Sequence, residues 1–150
     1  MHGDLREVTV AWPHGPCALI TGTPPYLPPG TAIASPDPQR LAQWYVEHLD
    51  FTINYTSKTS RTVFVKASDG SMIEIIEASG PAAGPSKMKD PGIRHLALTV
   101  DDFEASWRRL KDGGIAFLSE PSTKDGNSTV FFTDPDGNIL HLLHRETPLA

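Results

Sequence analysis

The sequence predicts an α+β fold built from two tandem βαβββ modules, and three observations carry that expectation. The chain resembles itself at a shift of about 65 to 67 positions. Each repeat passes from a short strand to a helix with an apolar stripe and back to strands. Each then ends on an Asp-Gly turn that leads into an apolar strand, Asp69-Gly70 in the first repeat and Asp136-Gly137 in the second. In the first repeat Thr31 to Ala34 is a strand, Asp37 caps a helix with Pro38 at its first position, and Leu41, Trp44, Tyr45 and Leu49 form the stripe. Strands resume near Phe51 and at Thr62 to Lys66, and a Ser-Asp-Gly-Ser turn at 68 to 71 leads to a strand at Met72 to Glu77. In the second repeat Ile93 to Val100 is a strand and Asp101 with Glu104 forms a capping box. Phe103, Trp107 and Leu110 supply the stripe of a helix that stops before Gly113-Gly114. Val130 to Thr133, the turn Asp134-Pro-Asp-Gly-Asn138 and the strand Ile139 to His144 complete it. Trp44 and Trp107 read as helix-to-sheet core.

Composition narrows the function classes. The 150 residues are 39% apolar and 21% charged with a formal charge of −5, the profile of a soluble globular domain. No run approaches the roughly 20 apolar residues that cross a bilayer, and no Lys/Arg run is present, so neither a membrane nor a nucleic acid is expected as partner. Cys17 is the only cysteine, which excludes an intrachain disulfide and fits a reducing cytoplasm. The apolar patch from Val8 to Trp12 is broken by Pro13 and Pro16, so export is not expected. Six of the fourteen prolines fall in residues 1–30, read as a proline-rich extension with an edge strand at Glu7 to Ala11. Module one then covers 31–78, a linker 79–91 centred on Ser79-Gly-Pro-Ala-Ala-Gly-Pro-Ser86, module two 92–145 and a tail 146–150.

The doubled unit, with Gly-Ile-Arg-His-Leu-Ala-Leu-Thr-Val at 92–100 and Asp-Pro-Asp-Gly-Asn-Ile-Leu-His-Leu at 134–142, resembles the vicinal oxygen chelate superfamily over residues 31–145. That superfamily includes glyoxalase I, methylmalonyl-CoA epimerase, extradiol dioxygenases, fosfomycin-modifying enzymes and bleomycin-binding proteins. The resemblance implies a cupped eight-stranded mixed sheet with helices on its convex side. It also implies one divalent metal inside the cup, held from the first and last strand of each module.

Strand alternation puts Met72, Glu74 and Ile76 on one face, and Ile73 and Ile75 on the other. His141 shares a face with Ile139 and Leu143 and stands where Glu74 stands in the other repeat, while His95 shares the smaller face of its strand with Ile93, Ala97 and Thr99. The resemblance carries metal-ligand roles over to Glu74, His95 and His141, a donor set suited to Zn²⁺, Ni²⁺, Mn²⁺ or Fe²⁺. The fourth position, seven residues before Asp37 as His95 is seven before Asp102, is Gly30, which offers no side-chain ligand. His14 is the nearby histidine in sequence, and a proline-rich extension would lose entropy on docking it there. His48, at the end of the first helix, and His144, turned away from His141 by alternation, read as structural. Arg61, Arg94 and Arg145 read as surface charges that could meet an anionic substrate.

By the same resemblance the chain is a metal-dependent lyase, isomerase or epimerase of the glyoxalase type. It would chelate vicinal oxygens of a small oxygen-rich metabolite and stabilise an enediolate-type intermediate, with Glu74 as the catalytic proton shuttle. An Fe²⁺ extradiol-type dioxygenase and a metal-free antibiotic-binding protein stand as alternatives, the latter with Tyr55, Phe64 and Phe131 lining a groove. A homodimer is the expected assembly.

Overall fold

The computed structural model describes residues 30–81 and 87–147. The edge strand at Glu7 to Ala11, His14, Cys17, part of the linker and the end of the tail lie outside the described residues. The chain divides into two compact units, with the boundary between residues 82 and 83.

The first unit is a four-stranded mixed sheet with one helix. β1 (Gly30–Ser35) leads to α1 (Pro38–Leu49), and β2 (Thr52–Thr56), β3 (Val63–Lys66) and β4 (Met72–Glu77) follow. The strand order is β1-β4-β3-β2, parallel only between β1 and β4. Asp37 caps α1 by accepting a hydrogen bond from the Arg40 amide at 3.3 Å, and Pro38 opens the helix, where no amide hydrogen is needed. Leu41, Ala42 and Tyr45 of α1 are buried, as are Val63, Val65, Ile73 and Ile75 of β3 and β4. These residues form the core on one face of the sheet and leave Phe64 and Glu74, by alternation, on the other.

The second unit repeats the plan with β5 (His95–Thr99), α2 (Phe103–Asp112), β6 (Ser122–Lys124), β7 (Asn127–Thr133) and β8 (Ile139–Arg145), in the order β5-β8-β7-β6. Each repeat is thus βαβββ, the α+β architecture expected from the sequence, and the strands are hydrogen-bonded as two sheets of four. The core of this unit includes Leu96, Leu110, Val130, Phe132, Leu140 and Leu142. The turn before β8 is held by Asp134, which is 4% exposed. Its Oδ1 accepts from the amides of Asp136 and Asn138 at 3.0 and 2.9 Å, and its Oδ2 accepts from the Asn138 side chain at 2.8 Å. Gly137 sits in the turn at φ 85°, a conformation glycine adopts without strain. This turn sets the register of β8 and so decides which face His141 occupies.

Two sequence expectations are corrected. Asp102, not Asp101, caps α2: its carboxylate accepts from the Ala105 amide at 2.9 Å, while Glu104 turns outward to Arg108 at 2.8 Å. The capping geometry needs a donor three residues on, and a helix beginning at Phe103 supplies it only to Asp102. Trp44 and Trp107 are half-buried rather than core. Trp107 lies under the Lys111 ammonium, 5.0 Å from its ring centre, and Trp44 meets the rings of Tyr45 and His48 at 5.3 and 5.2 Å. Large rings at the margin of a narrow stripe keep one edge in water.

Candidate functional site

Parallel pairing of β5 with β8 sets Ala97 beside His141 and His95 beside Ile139, so the two histidines lie diagonally on one face. Their ring centres are 5.3 Å apart and the rings are nearly perpendicular, at 88°. Antiparallel pairing of β7 with β8 places Phe131 opposite His141, and its ring stacks on the imidazole at 4.3 Å with 9° between planes. His95 meets Phe131 edge-on at 5.4 Å. His95 is exposed and His141 half-buried.

The Nε2 of His141 is buried and, among the described residues, has no hydrogen-bond partner. Burial first, then the neighbouring His95 and Arg145, hold the His141 imidazole below its ordinary pKa, so at neutral pH it is uncharged and keeps a nitrogen lone pair. The unfolded chain binds a proton at His141 that the folded chain resists, so the contribution of this residue is present above the ordinary imidazole pKa of about 6.5 and is lost as pH falls through the lower folded value. In the presence of chelator, melting temperature is expected to drop between pH 7 and pH 5, and to drop less in His141→Gln; equal slopes for the two proteins would contradict the assignment.

Glu74 lies in the first unit, in the register place that corresponds to His141. It pairs with Ala32 of β1 and Phe64 of β3, as His141 pairs with Ala97 of β5 and Phe131 of β7. Glu74 is half-buried, and among the described residues no hydrogen bond or ion pair reaches its carboxylate. The structure therefore brings His95 and His141 together in one unit and holds Glu74 in the other. Among the described residues no group of three or more His, Cys, Asp or Glu side chains is assembled to hold a metal ion. The pair does fit a metal in donor chemistry: two imidazoles on one strand face, one with an unsatisfied ring nitrogen.

Gly30 pairs with Met72, two residues before the Ala32–Glu74 pair, as His95 pairs with Ile139, two residues before Ala97–His141. Gly30 is therefore the counterpart of His95, and the reason it is glycine is local. A Cβ there would lie 2.5 Å from the Met72 carbonyl oxygen and 3.2 Å from its carbon, both backbone atoms. Gly30→His is expected to destabilise the fold by about 1–3 kcal/mol and to add no metal affinity. Thermal melting and calorimetric metal titration would check this, and tighter binding at unchanged melting temperature would refute it.

Among the described residues, the other histidines and the arginines singled out from the sequence have structural employment. His144 faces away from His141, and its Nδ1 donates to the Val100 carbonyl at 3.0 Å. His48 packs against Trp44. Arg61 ties Glu77 at 2.9 Å to the capping Asp37 at 3.3 Å. Arg94 reaches back to the Gly92 carbonyl, and Arg145 donates to Asn127. Sequence reasoning missed the stacking of Phe131 on His141, for which the signal was the alternation of Val130 and Phe132 against it.

Residues 29–142 match the family model of the Glyoxalase/Bleomycin resistance protein/Dioxygenase superfamily. The chain belongs to this superfamily. Among curated relatives of this superfamily member, a 32-residue segment, 21% of the chain, is 53% identical to a 4-hydroxyphenylpyruvate dioxygenase of Pseudomonas aeruginosa. The matched segments make up only 9% and 56% of the lengths of two curated relatives. Among solved structures the fold resembles Oxidase ChaP-H2, with TM-score 0.62 and 21% identity over 77% of this chain and 91% of that one. It also resembles TnmS3, an antibiotic binding protein from Streptomyces sp. CB03234, with TM-score 0.60 and 23% identity over 78% and 93%. The superfamily thus spans dioxygenases and antibiotic-binding proteins. Among the described residues no helix is long and apolar enough to cross a membrane.

Proposed function

We propose that this chain is a metal-dependent enzyme of the glyoxalase type, a lyase, isomerase or epimerase, in which Glu74, His95 and His141 hold one divalent cation. The observation that carries the reading is the paired histidines on one sheet face, with the buried His141 Nε2 lacking a partner among the described residues. A cation held by Glu74, His95 and His141 would supply Lewis-acid chemistry, polarising a substrate carbonyl and stabilising negative charge on its oxygen. The chain supplies the rest. Phe131 fixes the plane of the His141 ring by stacking, and the depressed pKa keeps that ring neutral. The Glu74 carboxylate takes a proton from the carbon beside the carbonyl and returns it to that carbon or its neighbour, so no net oxidation or reduction occurs. The substrate is a small oxygen-rich molecule, and the working assembly is a homodimer, which sedimentation of the purified chain would test.

Elemental analysis of protein purified without chelator tests the reading directly. Wild type is expected to carry about one metal per chain and Glu74→Ala, His95→Ala and His141→Ala none. Wild type that takes up none of Zn²⁺, Ni²⁺, Mn²⁺ or Fe²⁺ would overturn it. The local 53% identity to a dioxygenase favours a second reading on the same residues, with Fe²⁺ as the metal and O₂ as co-substrate. Oxygen uptake with a catechol, found only in the Fe²⁺-loaded protein, would replace the first reading by the second.

A further inference from the structure

The sheet face that carries His95 and His141 ends, at the far end of β8, in a row of positive charge. Alternation puts Arg145 on the face of His141, four residues on. Register sets Asn127 of β7 opposite Arg145 and Lys124 of β6 opposite Asn127, so three side chains stand abreast across three strands. Arg145 is half-buried, and its Nη1 donates to the Asn127 Oδ1 at 3.0 Å. Asn127 is held in turn, its Nδ2 donating to the Asp125 carbonyl at 3.2 Å. The guanidinium therefore leans on a neutral oxygen, and among the described residues no carboxylate pairs with it. Arg61 and Arg108 differ, each bonded to a glutamate, at 2.9 and 2.8 Å. Glu146, next in sequence to Arg145, turns by alternation to the other face, where its amide donates to the Gly126 carbonyl at 2.9 Å. A guanidinium drawn partly out of water beside a neutral partner keeps its charge uncompensated and most of its N–H donors free for another group.

We infer that Arg145, aided by Asn127 and Lys124, anchors a carboxylate or phosphate of the substrate. The inference rests on the proposed metal reading for the chelating end of that molecule, while its anionic end rests on the second unit alone. A planar guanidinium offers paired N–H donors that match two oxygens of one such group. Asn127 steadies the fork by taking one donor from the side, and the exposed Lys124 adds a second positive charge. The four residues from His141 to Arg145 cover about 13 Å of strand, which sets the length of the ligand. A three-carbon acid held at the histidines leaves Arg145 unmet, whereas a longer chain reaches it. Leu143 and Thr129 stand opposite each other between the two ends and carry no charge, so that row suits the linking part of the molecule rather than a second anion.

Calorimetric titration of the Zn²⁺-loaded full chain with two hydroxamates separates the parts. Suberate monohydroxamate and octanohydroxamate share the chelating group and the chain length, and differ in ending on a carboxylate or a methyl. At low salt the carboxylate probe is expected to bind wild type at least about tenfold tighter. That preference is expected to vanish in Arg145→Gln, to survive in part in Arg145→Lys, and to shrink as salt is added. Octanohydroxamate, which makes no use of the guanidinium, is expected to bind all three proteins alike, and Arg145→Lys guards against a folding defect in Arg145→Gln. Inorganic phosphate that displaces the carboxylate probe better than acetate does, without displacing octanohydroxamate, assigns the anchor to phosphate; the reverse order assigns it to carboxylate. No preference in wild type, or a preference that Arg145→Gln retains, overturns the anchor and leaves the metal reading standing. An Arg145-dependent preference, with both probes binding chelator-treated protein as tightly as the Zn²⁺-loaded form, keeps the anchor and overturns the metal reading. Binding of neither probe overturns both.

Discussion

His141→Leu is expected to take up no metal and, compared with metal-free wild type, to melt at a higher temperature. The two effects share one cause. His141 occupies β8 between leucines, with Phe131 stacked on its ring and its Nε2 buried without a partner among the described residues. A buried polar atom without a partner costs about 1–3 kcal/mol relative to the same atom in water, and the half-buried setting of this ring points to the lower end. Leucine fills much of the same volume with no polar atom, packs against Phe131, and removes the penalty. It also removes the lone pair, so metal affinity is expected to fall by more than about 100-fold, beyond the loss that follows from disturbing a supporting contact. Metal-titrated calorimetry gives the first quantity and melting in chelator the second. If His141→Leu melted below metal-free wild type, the ring would be a satisfied structural histidine and the metal reading would lose its main support.

Phe132→Ala is expected to be the most destabilising single truncation in the second unit. The ring is fully buried, lies opposite the equally buried Leu140 on β8 and meets Phe117 at 6.1 Å. Losing it removes the transfer free energy of the ring and leaves a cavity, together about 3–5 kcal/mol. That is a large share of the roughly 5–15 kcal/mol that holds a domain folded. One residue earlier, Phe131→Ala is expected to cost less than half as much, because that ring is half-buried on the other face. Urea unfolding followed by circular dichroism would show a large drop in midpoint for the first variant and a small one for the second. Equal drops would mean that both faces of β7 are core.

Local signals made much of this molecule legible before its structure. The Asp37-Pro38 start of α1 is a matter of neighbouring residues, and the helix runs from Pro38 to Leu49 as those residues require. The two Asp-Gly turns place β4 and β8, and with them the faces of Glu74 and His141. Where adjacent residues offered the same chemistry, as Asp101 and Asp102 do, sequence could not choose between them, and one residue of helix register decided. β6 carries no apolar pattern, since Ser122, Thr123 and Lys124 are all exposed, and only its pairing with β7 makes it a strand.

The sequence by itself determined the repeat, the βαβββ order of each module and the residue types available as metal donors, because these follow from periodicity and turn chemistry over a few neighbouring positions. Tertiary structure decided what surrounds those donors. The stack of Phe131 on His141, the unsatisfied Nε2 and the closure of position 30 by the Met72 carbonyl all arise between strands that are distant in sequence. Cross-strand register joins residues that no local pattern links, and the chemistry open to each side chain is set by the partner that register assigns to it.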